Sequence, residues 1–142
     1  MARATATIEV VKLLVSLLCA STLLLADAPS IGIRGHLEVG PKPVLVLPDN
    51  RRIQLQSDEP TMAVLADERL KDADFEVLGH YEAPDRFTVD HIHTRSLYVH
   101  KGDKRLMVLY WCDVCYIRTY SPGLCVCCRK YTDLDLRETE DQ

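Results

Sequence analysis

Residues 112–128 read CDVCYIRTYSPGLCVCC, a stretch that contains five of the six cysteines of the chain. It holds two C-x-x-C steps that are separated by nine residues, and each step can present two thiolates from one tight turn. Residues 121–123, Ser-Pro-Gly, are typical of a turn that folds the second step back onto the first. Four thiolates brought together in this way form a tetrahedral cage for a soft divalent ion such as zinc. The predicted ligands of a structural zinc site are Cys112, Cys115, Cys125 and Cys128.

The fifth cysteine of this stretch, Cys127, is left over by that assignment. It is adjacent to Cys128 and could replace it as a ligand. Otherwise it is an inert packed cysteine, or a reactive thiol that the neighbouring Arg129 and Lys130 activate. The last alternative leads to a different function, a thiol-redox or metal-handling protein that uses the C-x-x-C pairs and Cys127.

The N-terminal residues are typical of a signal peptide. Arg3 and Lys12 give a loose basic region, residues 13–25 are mostly apolar, and residues 26–28, Ala-Asp-Ala, match the small-x-small pattern that signal peptidases cut. The apolar run is shorter than the about 20 residues that a membrane span needs, although an uncleaved anchor is an alternative. We therefore predict a signal peptide over 1–28 and a periplasmic or secreted protein.

Export makes disulfide bonds an alternative to the metal site, because cysteines in an oxidising compartment are commonly paired. The mature chain would hold five cysteines, an odd number, and the adjacent Cys127 and Cys128 could bridge each other only with strain. Two C-x-x-C pairs plus one spare cysteine fit a metal cage better. The spacing alone leaves both arrangements open.

The residues that precede the cysteines favour a mostly β structure. Apolar and polar residues mostly alternate over 31–56 and 75–99, and residues 106–111 form a nearly continuous apolar strand that leads into Cys112, with turn residues between the runs. One helix is predicted over 61–70, because Ser57 or Asp58 can act as its N-cap and Pro60 suits its first turn. Residues 131–136 are predicted to pair beside the strand that leads into the cysteines.

This order of strands and helix resembles the OB-fold barrel over residues 31–100. The resemblance rests on two strands, a short helix and the phrase LKDADFEVLGHY at 70–81, which is similar to the helix and charged turn that lead into the third OB strand. It implies a mostly β protein, with a small OB-like barrel and one short helix, followed by a C-terminal zinc-ribbon-like β module. The predicted boundaries are 29–100 for the barrel and 101–142 for the cysteine module with its acidic tail.

The whole chain also resembles uncharacterised exported bacterial proteins that end in Y-x-C-x-x-C and P-G-x-C-x-C-C. The matching residues here are Tyr110, Cys112, Cys115, Pro122, Gly123, Cys125, Cys127 and Cys128. The resemblance implies an architecture and an exported location, and it implies no activity.

A local excess of positive charge precedes and surrounds the cysteines. Seven Lys and Arg against two Asp lie between residues 95 and 130, although the formal net charge of the chain is −4. Such an imbalance is typical of a solvated face. Aromatic residues interleaved with the cations would also suit a protein that binds single-stranded nucleic acid by stacking and phosphate contacts. These aromatic residues are Tyr98, Tyr110, Trp111, Tyr116, Tyr120 and Tyr131.

The acidic total and the signal peptide argue against nucleic acid as the partner. We instead expect the barrel face and the stripe from Tyr98 to Tyr120 to bind a protein or ligand of unknown identity. A membrane partner is expected only if the N-terminal segment is not cleaved.

Neither the histidines nor any catalytic motif indicates a further metal site or an enzymatic activity. His91 and His93 would share one face of a predicted strand, with His80 and His100 on neighbouring strands, but no further ligand stands at a fitting spacing for copper or another metal. The chain has no nucleophile elbow, P-loop, dinucleotide fingerprint, H-E-x-x-H or haem-attachment motif. We therefore expect a non-enzymatic binding or interaction protein with a structural four-cysteine metal site.

Overall fold

The computed structural model describes residues 29–138, so the predicted signal peptide over 1–28 and the last four residues of the acidic tail lie outside the described residues. The strands are β1 (Ile31–Glu38), β2 (Val44–Val46), β3 (Arg52–Gln56), β4 (Asp74–Ala83), β5 (Arg86–Val89), β6 (Leu97–Lys101), β7 (Lys104–Cys112), β8 (Ile117–Thr119) and β9 (Asp133–Glu138). One α-helix, α1 (Glu59–Leu65), and two 3₁₀ turns, Glu68–Leu70 and Ile92–Thr94, complete the described elements.

Five of these strands close into a barrel. Their order is β1-β2-β3-β5-β4, and β4 returns to pair with β1. The β3–β5 pairing is parallel and the others in the barrel are antiparallel. Helix α1 lies between β3 and β4 in the chain, so the mostly β, OB-like barrel with one short helix is confirmed.

The barrel core follows from the alternation of side chains along the strands, because every second residue points inward. In β3, Ile53 and Leu55 are buried while Arg52 and Gln54 are exposed. In the first half of β4, Phe75 and Val77 are buried between less buried neighbours. The period-two pattern in the sequence therefore gives the interior of the barrel directly.

Helix α1 is shorter than the helix predicted over 61–70. Its start is as expected, because the Asp58 side chain accepts a hydrogen bond from the Thr61 N–H and Pro60 stands in the first turn. The helix ends at Leu65, and Asp67 then uses its carboxylate to accept the Arg69 N–H and begin a separate 3₁₀ turn. A side chain that caps a new turn competes with continuation of the helix.

The same sheet continues beyond the barrel through β4, which pairs with β6 over Phe75–Val77. Strand β7 is the central strand of this extension, with β6 and β8 along one edge and β9 along the other. The predicted pairing of residues 131–136 beside β7 is confirmed by β9. The predicted boundary between residues 100 and 101 falls inside the β6–β7 hairpin, and Val108 and Tyr110 of β7 belong to the same core as the barrel.

A polar network joins the barrel to β7 and to the residues before β9. The Tyr110 hydroxyl donates to the Asp67 carboxylate at 2.9 Å, and the Arg69 guanidinium donates to the same carboxylate. Arg69 also donates to the carbonyl of Thr132 at 3.0 Å. Tyr110 is fully buried, and both this burial and its bond to Asp67 raise the pKa of its hydroxyl. The network therefore fixes the end of β7 that carries the cysteines.

We expect Asp67→Asn to destabilise the fold at neutral pH by about 1–3 kcal/mol, because it weakens charge-assisted hydrogen bonds. Burial by itself would raise the pKa of Asp67, but the bonds from Arg69 and Tyr110 outweigh it and hold that pKa below its usual range. A carboxyl with a lowered pKa in the folded state stabilises above its unfolded pKa of about 4, and this contribution is lost as the pH falls through the folded value.

Urea unfolding of both proteins across the acid range checks this expectation. The difference in unfolding free energy should shrink as the pH falls below about 4. Tyr110→Phe is the matched control, since it removes one hydrogen bond and keeps the carboxylate and Arg69. A difference between wild type and Asp67→Asn that stays constant with pH would contradict the assignment.

Candidate metal centre

The two C-x-x-C steps form two turns with the same backbone hydrogen bond. The Tyr116 N–H donates to the carbonyl of Cys112 at 2.9 Å, and the Arg129 N–H donates to the carbonyl of Cys125 at 2.9 Å. Each turn therefore closes on the residue directly after its second ligand position. We call these two turns, residues 112–116 and 125–129, the knuckles.

The closing residue of each knuckle has a left-handed backbone. The φ angle is 54° at Tyr116 and 63° at Arg129. This conformation costs a residue with a side chain roughly 1–2 kcal/mol. The two knuckles therefore close with the same backbone conformation at equivalent positions.

The strands and the loop between them bring the two knuckles together. The first begins at the end of β7 and leads into β8. The second is held at its base by a β-bridge between Leu124 and Tyr131 and by a bond from the Cys125 N–H to the carbonyl of Lys130 at 2.7 Å. The predicted turn at Pro122 and Gly123 is fixed from the other side, because the Thr132 N–H donates to the carbonyl of Gly123.

The four sulfur atoms of the predicted ligands lie within 4.8 Å of one another. The Sγ atoms of Cys112 and Cys128, one from each knuckle, are 3.4 Å apart. A zinc–sulfur bond of about 2.3 Å in a tetrahedron places neighbouring sulfurs about 3.8 Å apart. The cluster has the size of such a cage, with Cys112 and Cys125 buried and Cys115 and Cys128 partly buried. Four cysteines in this arrangement could hold a metal ion such as zinc.

Backbone N–H groups of each knuckle point at its first sulfur. The Cys115 N–H lies 3.5 Å from the Cys112 Sγ. In the second knuckle, the N–H groups of Cys128 and Cys127 lower the pKa of Cys125 to about 7. Thiolates are the form that binds zinc, and N–H groups aimed at sulfur favour that form.

The opposite effect acts on Cys115. The Cys127 thiol, burial and the other neighbouring thiols raise the pKa of Cys115. Four thiolates this close repel one another unless a cation lies between them. The donor set therefore favours a divalent cation, which would offset part of the negative charge of the four thiolates.

Cys127 is the exposed cysteine of the group, and it is not one of the four whose sulfurs form the cluster. The sulfur of Cys128, rather than that of Cys127, thus lies with those of the other three predicted ligands. All five cysteines within the described residues are free of disulfide bonds.

The histidines do not assemble a second centre. Among residues 29–138, the cysteine cluster is the one group of three or more metal-ligating side chains with sufficiently close ligand atoms. The strand expected for His91 and His93 is instead a 3₁₀ turn, in which their rings stack at 5.4 Å. His91 pairs with Asp58, His80 with Glu82 and His100 with Glu76, so each has a carboxylate partner.

The predicted aromatic stripe is divided by the fold. Tyr98 and Tyr110 are both buried. Tyr110 points into the core from β7, which has a partner strand on both edges. Tyr98 lies under the Arg105 guanidinium, 3.5 Å from its ring centre. Exposed aromatic residues are therefore concentrated at the knuckles, where Tyr116, Tyr120 and Tyr131 are found.

Several of the cations expected to form a phosphate track are already neutralised. Arg105 pairs with Glu76, and Lys104 pairs with Glu138. Arg118 stacks on Trp111 and pairs with Asp135. Guanidinium groups held by carboxylates are poor phosphate ligands, so the arrangement weakens the nucleic-acid alternative.

Comparison with protein-family models, with curated proteins and with solved structures gives no match for this chain. The predicted resemblance to exported bacterial proteins is thus supported only in its architecture, a small barrel followed by a four-cysteine cluster. Within residues 29–138 no helix has the length and apolar character to cross a membrane.

Two features of the site were missed by the sequence prediction. One is the Asp67–Arg69–Tyr110 network. The sequence gives no signal for it, because Asp67 and Tyr110 are 43 residues apart. The other is the set of apolar side chains exposed around the knuckles, including Val114 and Val126. The sequence did contain a signal for these exposed valines. Each lies inside a C-x-x-C step, and the cysteines at both ends of the step point inward.

Proposed function

We propose that this chain is an exported, non-enzymatic binding or interaction protein in which zinc, held by Cys112, Cys115, Cys125 and Cys128, stabilises the C-terminal sheet. The observation that carries the proposal is the convergence of four sulfurs from two knuckles to within 4.8 Å. Four protein ligands leave no open coordination position for a substrate or water, which is the property of structural zinc sites. The N-terminal residues support the exported location.

The part of the chain that depends on the metal is small. Residues between β8 and β9 have one isolated β-bridge as their regular backbone pairing among the described residues. Apolar side chains such as Val126 and Tyr131 are exposed there, so burial supplies little stability. A structural zinc ion contributes on the order of 10 kcal/mol to such a segment.

The single tryptophan of the chain, Trp111, is a built-in reporter for this proposal. It directly precedes Cys112, lies edge-on to Tyr116 at 6.0 Å and is stacked by Arg118. Removing zinc with a strong chelator should shift the Trp111 emission to longer wavelength, because the first knuckle opens and water reaches the ring. Adding zinc back should restore the spectrum.

Far-UV circular dichroism in the same titration is the control, because the barrel should keep its strands. A Trp111 spectrum that does not respond to complete metal removal would refute a stabilising role for the ion.

A second candidate function is a thiol-redox or metal-handling protein. The observation in its favour is the exposed Cys127 thiol, which lies close enough to Cys115 to raise the pKa of that thiol. This role predicts that thiols cycle to disulfides under mild oxidant while Trp111 emission and the fold are unchanged. The structural role predicts that oxidation releases zinc and opens the knuckles.

A further inference from the structure

The apolar side chains exposed in the described part of the chain are concentrated around the knuckles. Six of the eight large exposed hydrophobic residues lie there, and we call them the knuckle patch: Val114, Tyr116, Tyr120, Leu124, Val126 and Tyr131. Val126 is 81% exposed, Tyr131 80% and Tyr116 76%, which are the highest values of the eight. An apolar cluster of this kind on a small protein usually marks an interaction site.

Two cations lie inside the knuckle patch. Arg129 and Lys130 come between Val126 and Tyr131, both are exposed, and neither forms a salt bridge with a described residue. The neighbouring acidic side chains are Asp113 in the first knuckle and Asp133 at the start of β9. Arg129 and Lys130 therefore place positive charge at the base of the second knuckle, although the whole chain is acidic.

We infer that the knuckle patch docks on an anionic membrane surface. Tyrosine side chains are favoured at the boundary between lipid and water, where the ring is apolar and the hydroxyl stays wet. Short apolar side chains at turn tips can enter this boundary without breaking backbone hydrogen bonds, and nearby Lys and Arg are attracted to anionic headgroups. The knuckle patch combines exposed tyrosines, apolar side chains on turns and nearby cations.

A lipid surface fits these residues better than a nucleic acid or an acidic protein segment. Valine and leucine offer no stacking face for a base, and Arg105 and Arg118, which lie over the rings of Tyr98 and Trp111, are held by carboxylates. An acidic peptide would need a groove with fixed partners, whereas the exposed apolar side chains here lie on two tight turns and on the residues beside them. A lipid surface is fluid and does not need a groove of matching shape.

This inference rests on the proposed function, because the metal holds the two knuckles side by side. It is tested by co-sedimentation of the zinc-loaded chain with vesicles of equal parts phosphatidylglycerol and phosphatidylcholine, and with vesicles of phosphatidylcholine alone. We expect binding to the anionic vesicles that falls with added salt. Val126→Asp should weaken it by about tenfold or more, and Lys130→Glu by about fivefold.

Ile31→Asp is the matched control, since Ile31 is an exposed apolar residue at the start of β1 in the barrel. It should leave vesicle binding unchanged. Zinc content is measured on every sample, so failure of the metal site is seen separately from failure to dock. A zinc-loaded chain that ignores anionic vesicles, or that binds them equally with Val126→Asp and with the wild-type residue, would overturn the inference.

Discussion

Replacing Cys112 by serine should abolish stoichiometric zinc binding and disorder the segment from the first knuckle to β9. Cys112 is fully buried at the end of β7, and its sulfur is in contact with Cys128 of the other knuckle. Loss of one of four ligands removes most of a contribution on the order of 10 kcal/mol to this segment. The barrel should persist, because 12 of the 17 buried core residues lie between residues 31 and 89, the segment that runs from β1 to β5 and includes α1.

Two measurements check this expectation. Zinc per chain should fall from one to near zero, and trypsin should cleave rapidly after Arg118, Arg129 and Lys130, which lie in the segment. Cys127→Ser is the matched control, because Cys127 is exposed and outside the sulfur cluster. It should keep both the zinc and the resistance to trypsin. If Cys127→Ser lost zinc and Cys112→Ser kept it, the ligand assignment would be wrong.

Gly35→Ala should destabilise the barrel by about 3 kcal/mol, the second large effect that we expect. Gly35 lies on β1 opposite Phe75, where the strand also approaches β2. A Cβ atom at this position would stand 2.2 Å from the carbonyl oxygen of Val46. Since the clash is with backbone rather than with a flexible side chain, the strands themselves must move.

Thermal or urea unfolding measures this effect, and Gly32→Ala on the same strand is its control. A Cβ atom at Gly32 would meet the side chains of Leu78 and Glu76 at 3.2 and 3.3 Å, and these can shift. Its stability should change by less than about 1 kcal/mol. Equal stability of Gly35→Ala and Gly32→Ala would show that β1 and β2 do not approach each other as described.

The elements that the sequence predicted well are those set by local spacing. Alternating residues such as Ile53 and Leu55 face the core because a strand has a period of two. The pairing of the two C-x-x-C steps followed from the turn at Pro122 and Gly123. The strand alternation and the pairing of the C-x-x-C steps both depend on residues that are close to one another in the sequence.

The predictions that were wrong or incomplete concern contacts between distant residues. Tyr98 and Tyr110 were expected on a binding surface, but Tyr98 on β6 is covered by Arg105, and Tyr110 on β7 faces the barrel core. Nothing near Tyr110 in the sequence indicates that Asp67 accepts its hydroxyl. The helix over 61–70 was divided for a local reason that its apolar stripe does not show, because Asp67 caps a new turn by accepting the Arg69 N–H.

The most direct test of the metal centre is to count zinc ions and free thiols per chain in the same sample, isolated from its native compartment without added metal. One zinc per chain, and five free thiols in the region of residues 112–128 after denaturation in chelator, is the result that we predict. A chain without metal, in which Cys112, Cys115, Cys125 and Cys128 are joined by disulfide bonds while Trp111 keeps its folded environment, would contradict it.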